Sequence, residues 1–151
     1  MSPPDDDPGG RSRPGPLRLP LALAGGLALL TLAVMVAPPA WMGMADLPPE
    51  VLKARLARDA RGLAVVDVRT GFEYRGGHIP GAVSVPLHAV PFRLGALAPL
   101  KDREVVLVCL SGHRSRLAGL ILRLSGFGRV ANLTGGMGAW RARGYRTVTP
   151  P

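Results

Sequence analysis

The sequence predicts an α/β fold, a sheet covered by helices on both faces, with one apolar helix in front of it. Two observations carry the sheet. Short β-branched runs alternate with amphipathic stretches from residue 46 onward, which is the pattern of strand–helix alternation. The runs LAVVDV (63–68) and EVVLVC (104–109) are apolar almost throughout, as strands buried on both faces are. A third observation sets the front helix apart: residues 19–45 carry no charge at all.

Residues 1–18 (MSPPDDDPGGRSRPGPLR) are Pro, Gly, Ser and charge, a composition that cannot bury a core and predicts a disordered tail. Residues 19–45 predict a single transmembrane helix, densest from Leu21 to Ala37, with Trp41 placed as an interfacial aromatic. A cleaved signal peptide is the alternative, because Gly43-Met44-Ala45 offers small residues before Asp46. A buried helix would need a polar face that this segment lacks. Arg11, Arg13 and Arg18 precede the span, so the expected location is the cytoplasmic membrane, single-pass, with the domain on the extracytoplasmic side; Lys53, Arg55, Arg58 and Arg61 behind it leave the reverse orientation open.

The domain is expected to occupy 46–151. PPEVLKARLARDA places Pro at a helix start and Leu52, Leu56 and Ala60 four residues apart. LAVVDV is the first strand, and Gly76, Gly77, Pro80 and Gly81 mark a turn before AVSVPL. EVVLVC follows as a strand. Leu117, Leu120, Ile121 and Leu124 then form one face of a helix over 116–124, which Gly126 and Gly128 end. RVANL (129–133) is a further strand and GGMGAWRARG opens a last short helix. No internal repeat is present.

Composition narrows the chemistry. A hydrophobic fraction of 47% excludes a chain disordered throughout. The net charge is +9, and all of it lies in 46–151, where 16 basic face 7 acidic side chains. Arginine-rich coding accounts for this as well as a field that attracts small anions or an acidic partner. Nucleic acid is disfavoured, since the arginines are scattered and no aromatic stacking platform accompanies them. The single cysteine excludes an internal disulfide, and three scattered histidines do not suggest a metal site.

That cysteine, Cys109, ends the strand EVVLVC and is followed at once by LSGHRSR and the amphipathic helix. In an open α/β sheet ligands bind outside the carboxyl ends of the strands. A thiol there faces the free N–H groups and the positive end of a helix, both of which favour the thiolate. Gly112 gives the loop access to conformations closed to other residues. Arg114 adds a cation that can fork onto an anionic ligand. Asp67 and Arg69 close the strand LAVVDVR and belong on the same edge of the sheet.

The stretches VVDVRTGFEYRGGHIPGAVSVPL (65–87), VCLSGHRS (108–115) and NLTGGMGAW (132–140) together resemble the single-domain rhodaneses, in the family's order. The resemblance implies a rhodanese-like fold with a five-stranded, largely parallel sheet. It implies a sulfurtransferase in which Cys109 accepts a sulfane sulfur as a persulfide, with Leu110, Ser111, Gly112, His113, Arg114 and Ser115 binding the substrate. Asp67 and Arg69 are then a structural ion pair beside the loop. A small anionic donor such as thiosulfate is implied, with cyanide, a thiol or a protein as acceptor, and no cofactor is called for. The phosphatases of this architecture place their arginine one residue later, and the next one here is Arg116. A persulfide carrier serving one protein partner is the alternative function. His78 in HIPGA is expected to be a hydrogen-bonded structural residue, His113 to face solvent and Trp140 to pack under the last helix.

Overall fold

A computed structural model describes residues 21–36, 43–59 and 61–150. Five strands form one parallel sheet in the order β1-β5-β4-β2-β3, with β1 Ala45–Leu47, β2 Leu63–Asp67, β3 Val83–Ser84, β4 Glu104–Val108 and β5 Val130–Leu133. Helices α2 (Pro49–Arg58), α3 (Gly71–Arg75), α4 (Leu94–Leu97), α5 (His113–Leu124) and α6 (Gly136–Ala142) connect them.

The alternation along β2 and β4 divides the core. Ala64, Val66, Val105, Leu107 and Cys109 point to one face, where Ala118 and Leu122 of α5 cover them together with Val90, Leu97 and Phe127. Leu63, Val65, Val106 and Val108 point to the other, against Leu52 of α2 and Met137 and Trp140 of α6. The central strands are buried on both faces, which is why their sequences show no polar alternation. The side-chain period of two therefore assigns Cys109 to the face covered by α5.

Several elements differ from the sequence expectation. Strand β1 was not anticipated; it is three residues long with one buried position, too short to show a pattern. Met44 just before it is buried in the core, so the packed unit starts ahead of Asp46. The run AVSVPL gives only a two-residue edge strand, β3. Between residues 87 and 100 lie two 3₁₀ turns and α4, where the sequence offered no periodic signal. Helix α5 begins at His113 rather than Arg116, because its first turn is also the end of the cysteine loop.

The expected transmembrane helix is not supported. Helix α1 (Leu21–Val36) has 16 residues, roughly 24 Å at about 1.5 Å per residue, against a hydrocarbon core of about 30 Å. No helix among the described residues is long and apolar enough to cross a membrane. Pro20 and Pro38 bracket the helix in sequence, and a proline disfavours helical backbone in the residue before it. Helix α1 lies along α5 and exposes Leu27, Leu29, Leu30 and Leu32. The tail 1–18, Trp41 and Ala60 lie outside the described residues.

At the carboxyl end of β2, Asp67 and Arg69 form the expected ion pair. The Arg69 Nη2 is 2.6 Å from Asp67 Oδ2, Nε is 3.0 Å from both carboxylate oxygens, and each residue is 1% exposed. Nη2 also donates to the Gly77 carbonyl at 2.9 Å, which ties the turn before His78 to the sheet. His78 Nδ1 lies 3.0 Å from the Tyr74 carbonyl and its ring stacks on Tyr74. Removing one partner of a buried pair strands the other charge. Asp67→Asn should lower stability by about 3–5 kcal/mol in urea denaturation, and Asp67→Leu combined with Arg69→Met should recover much of that loss.

Candidate active site

Strand β4 ends at Val108, and the chain then folds back around the Cys109 sulfur before entering α5. The turn is possible because Gly112 takes φ +95°, a left-handed conformation, at the cap of the helix. Its N–H donates to Cys109 Sγ at 3.0 Å. Cys109 is fully buried and its thiol is free. Burial acts to raise the pKa of the thiol. The Ser115 hydroxyl and the N–H groups of Ser115, Ser111 and Gly112 act the other way and prevail, so the thiol is shifted below its ordinary value. Leu110, Ser111, Gly112, His113, Arg114 and Ser115 all fall on this one loop and helix start, as expected. His113 is exposed, within 3.0 Å of the Ser111 hydroxyl.

The back of the loop is held by α6, which the sequence reading did not foresee. The Met137 N–H donates to the Cys109 carbonyl at 2.8 Å and the Gly138 N–H to the Leu110 carbonyl at 2.9 Å. Such close approach requires glycine at 136: φ is +55° and a Cβ there would stand 2.3 Å from the Cys109 carbonyl oxygen. Trp140, three residues on, is buried as expected, its indole N–H on the Arg146 carbonyl at 3.0 Å. Gly136→Ala should therefore displace the loop. It should lower both stability and the rate of Cys109 alkylation, measured by thermal melting and iodoacetamide labelling.

Arg114 is not a free cation. Its guanidinium meets Glu73 of α3 in a fork, at 2.9 Å to Oε2 and 2.7 Å to Oε1. Glu73 in turn closes a capping box with Thr70: Glu73 N–H donates to Thr70 Oγ1 at 3.3 Å and Thr70 N–H to Glu73 Oε2 at 2.9 Å. Sequence reasoning missed Glu73 as a site residue, although Thr70-x-x-Glu73 is a visible capping signal. The pair also holds Arg114 cationic, the Glu73 hydrogen bond being the main cause. A shallow cleft beside it is lined by Val68, Thr70, Pro86, Leu87, His88 and Arg114.

Over residues 48–143 the chain matches the model of the rhodanese-like domain. The chain belongs to the rhodanese family. A sulfurtransferase of Allochromatium vinosum is 42% identical over 105 residues, covering 70% of this chain and 95% of that one. The thiosulfate sulfurtransferase GlpE of Stutzerimonas stutzeri is 36% identical over 95 residues, 63% of this chain and 83% of its own length. The solved structure of a rhodanese-like domain protein from Staphylococcus aureus superposes with a TM-score of 0.63 at 29% identity, covering 72% of this chain and 100% of that one. At the level of the family, the activity of these rhodanese relatives is sulfur transfer.

The Arg114 fork holds the Glu73 carboxyl down, from its ordinary 4.5 to about 2. A carboxylate depressed in this way stabilises the fold fully above its unfolded pKa, and that contribution fades as pH falls through the folded one. The Glu73–Arg114 link should thus be constant from neutral pH down to about 4.5 and be lost toward about pH 2. Glu73→Gln should remove that part of the acid limb and cost about 1 kcal/mol at pH 7, read by denaturant titration across pH.

Proposed function

We propose that this rhodanese domain moves a sulfane sulfur from a small anionic donor, thiosulfate in the simplest case, to a thiophilic acceptor through a persulfide on Cys109. The observation that carries the reading is the buried Cys109 sulfur at the floor of a loop of backbone donors, with Gly112 N–H at 3.0 Å. The Cys109 thiolate attacks the outer sulfur of thiosulfate, an S–S bond forms, and the donor's S–S bond breaks to release sulfite with its electron pair. The terminal sulfur of the persulfide carries the charge, which fixed N–H groups stabilise without giving up a proton. Cyanide then attacks that sulfur, thiocyanate leaves and the thiolate returns. No general base is needed, because the thiol is already shifted toward ionisation. The Cys109-to-Arg114 spacing of six residues supports sulfur over phosphate as the bound group, following the family resemblance.

A protein acceptor is favoured by one observation. Leu110 on the loop is 49% exposed and Phe72, next to Glu73 on α3, is 80% exposed, so apolar side chains stand open on the loop and on the helix that pairs with Arg114. A carrier reading follows from this, with rapid transfer to a partner and slow turnover to cyanide. Location at the cytoplasmic membrane, with the domain outside, is also a proposal and rests on the uncharged sequence 19–45 and on Arg11, Arg13 and Arg18 before it. Carbonate washing and protease protection of spheroplasts test it.

Thiocyanate should form from thiosulfate and cyanide with the wild-type protein, and Cys109→Ser should abolish it. A sulfur adduct should be visible by mass spectrometry in wild type alone. Equal turnover by the two proteins would overturn the reading.

A further inference from the structure

The Ser115 hydroxyl has one proton and three acceptors within reach. Asn132 Oδ1 is at 2.5 Å, the Gly112 carbonyl at 2.9 Å and Cys109 Sγ at 3.5 Å. The amide of Asn132, on β5, is not free to turn. Its Nδ2 donates at 2.9 Å to Oδ1 of Asp46, on β1, and a carboxylate can only accept. The amide therefore presents Oδ1 to Ser115. Ser115 and Asn132 are buried, at 0% and 2% exposure, so solvent does not substitute for the bond between them.

We propose that Asp46 and Asn132 are positioning residues that steer the Ser115 proton away from the Cys109 sulfur. With the amide held by Asp46, the hydroxyl donates mainly to Asn132 at 2.5 Å and only weakly to the sulfur at 3.5 Å, which leans on the backbone N–H groups. With the amide released, its Nδ2 turns to the Ser115 oxygen and the hydroxyl proton turns to the sulfur. Withholding that hydrogen bond keeps the sulfur more basic and, once ionised, more nucleophilic. Asp46 lies outside residues 48–143, which the family model covers, and reaches the sulfur only through the two buried side chains. The inference rests on Cys109 being the nucleophile, but its test reads the thiol itself.

The titratable and charged groups on the elements around Cys109 are His113, Arg114, Arg116 and Arg123 on α5, Glu73, Tyr74 and Arg75 on α3, Glu104 at the start of β4, Arg141 on α6, His88 in the 3₁₀ turn, the Asp67–Arg69 pair at the end of β2, and Asp46 on β1. Of these only Asp46 is altered below. Its residue is exposed, so its variants are expected to fold.

The rate of iodoacetamide labelling of Cys109 against pH is measured for the full-length chain, for Asp46→Ala and for Asp46→Asn, each with Ser115 and with Ser115→Ala. Asp46→Ala should move the midpoint down by about one pH unit when Ser115 is present. With Ser115→Ala it should move far less. Asp46→Asn removes the charge but keeps an acceptor for Nδ2, so its midpoint should stay close to wild type. An equal shift in both Ser115 backgrounds, an equal shift with Asn and Ala, or no shift at all would each overturn the proposal. A Cys109→Ser protein that still makes thiocyanate would instead defeat the sulfur-transfer reading, whatever the labelling shows.

Discussion

The two hydrogen bonds from the start of α6 to the Cys109 and Leu110 carbonyls govern the rest of the site. A loop of this length has carbonyls and N–H groups in equal number, and a buried sulfur anion tolerates only the second kind nearby. By taking the first two carbonyls from behind, α6 leaves the following N–H groups of Ser111, Gly112 and Ser115 to the sulfur. The helix can come that close because residue 136 has no side chain. The loop, the glycine pair and Trp140 are in this sense one device, although 20 or more residues separate its ends in sequence.

Electrostatics add a second frame around the same loop. Asp67 and Arg69 fix the end of β2, Thr70 and Glu73 cap α3 directly behind them, and Glu73 carries the connection across to Arg114. The Thr70–Glu73–Arg114 contacts thus connect α3, next to the end of β2, with the first turn of α5. Their cost is that Arg114 arrives already partnered. On the proposed function, the attraction for an anionic donor comes mainly from the backbone N–H groups and the helix end, with Arg114 as an ion-paired wall of the cleft.

The elements legible in the sequence are those whose burial is repeated over several residues: β2, β4 and β5 by their apolar runs, α2 and α5 by their spacing. The loop could be read because its unusual residues are adjacent, from Cys109 to Ser115. What escaped was short or distant. Strand β1 has one buried residue and β3 has two positions in all, so neither leaves a pattern. Glu73 and Arg114 are 41 residues apart, and Asp46 and Asn132 are 86 apart; pairs at such distance leave no local trace. Helix α1 is apolar on all sides, and hydropathy alone does not set its length, which is 16 residues as described.

The parity of β4 has a consequence for how such a chain can change over time. Its odd residues face α5 and its even residues face α2 and α6, and the cysteine follows with no intervening residue. Gaining or losing one residue inside Glu104–Val108 would exchange the two faces and turn the sulfur toward Met137. The stretch 87–102 carries no such restriction, since its turns cap only one side of the sheet and make no ladder bonds with the central strands. Length variation among descendants of this sequence should accumulate there and be absent from the five residues that precede the thiol.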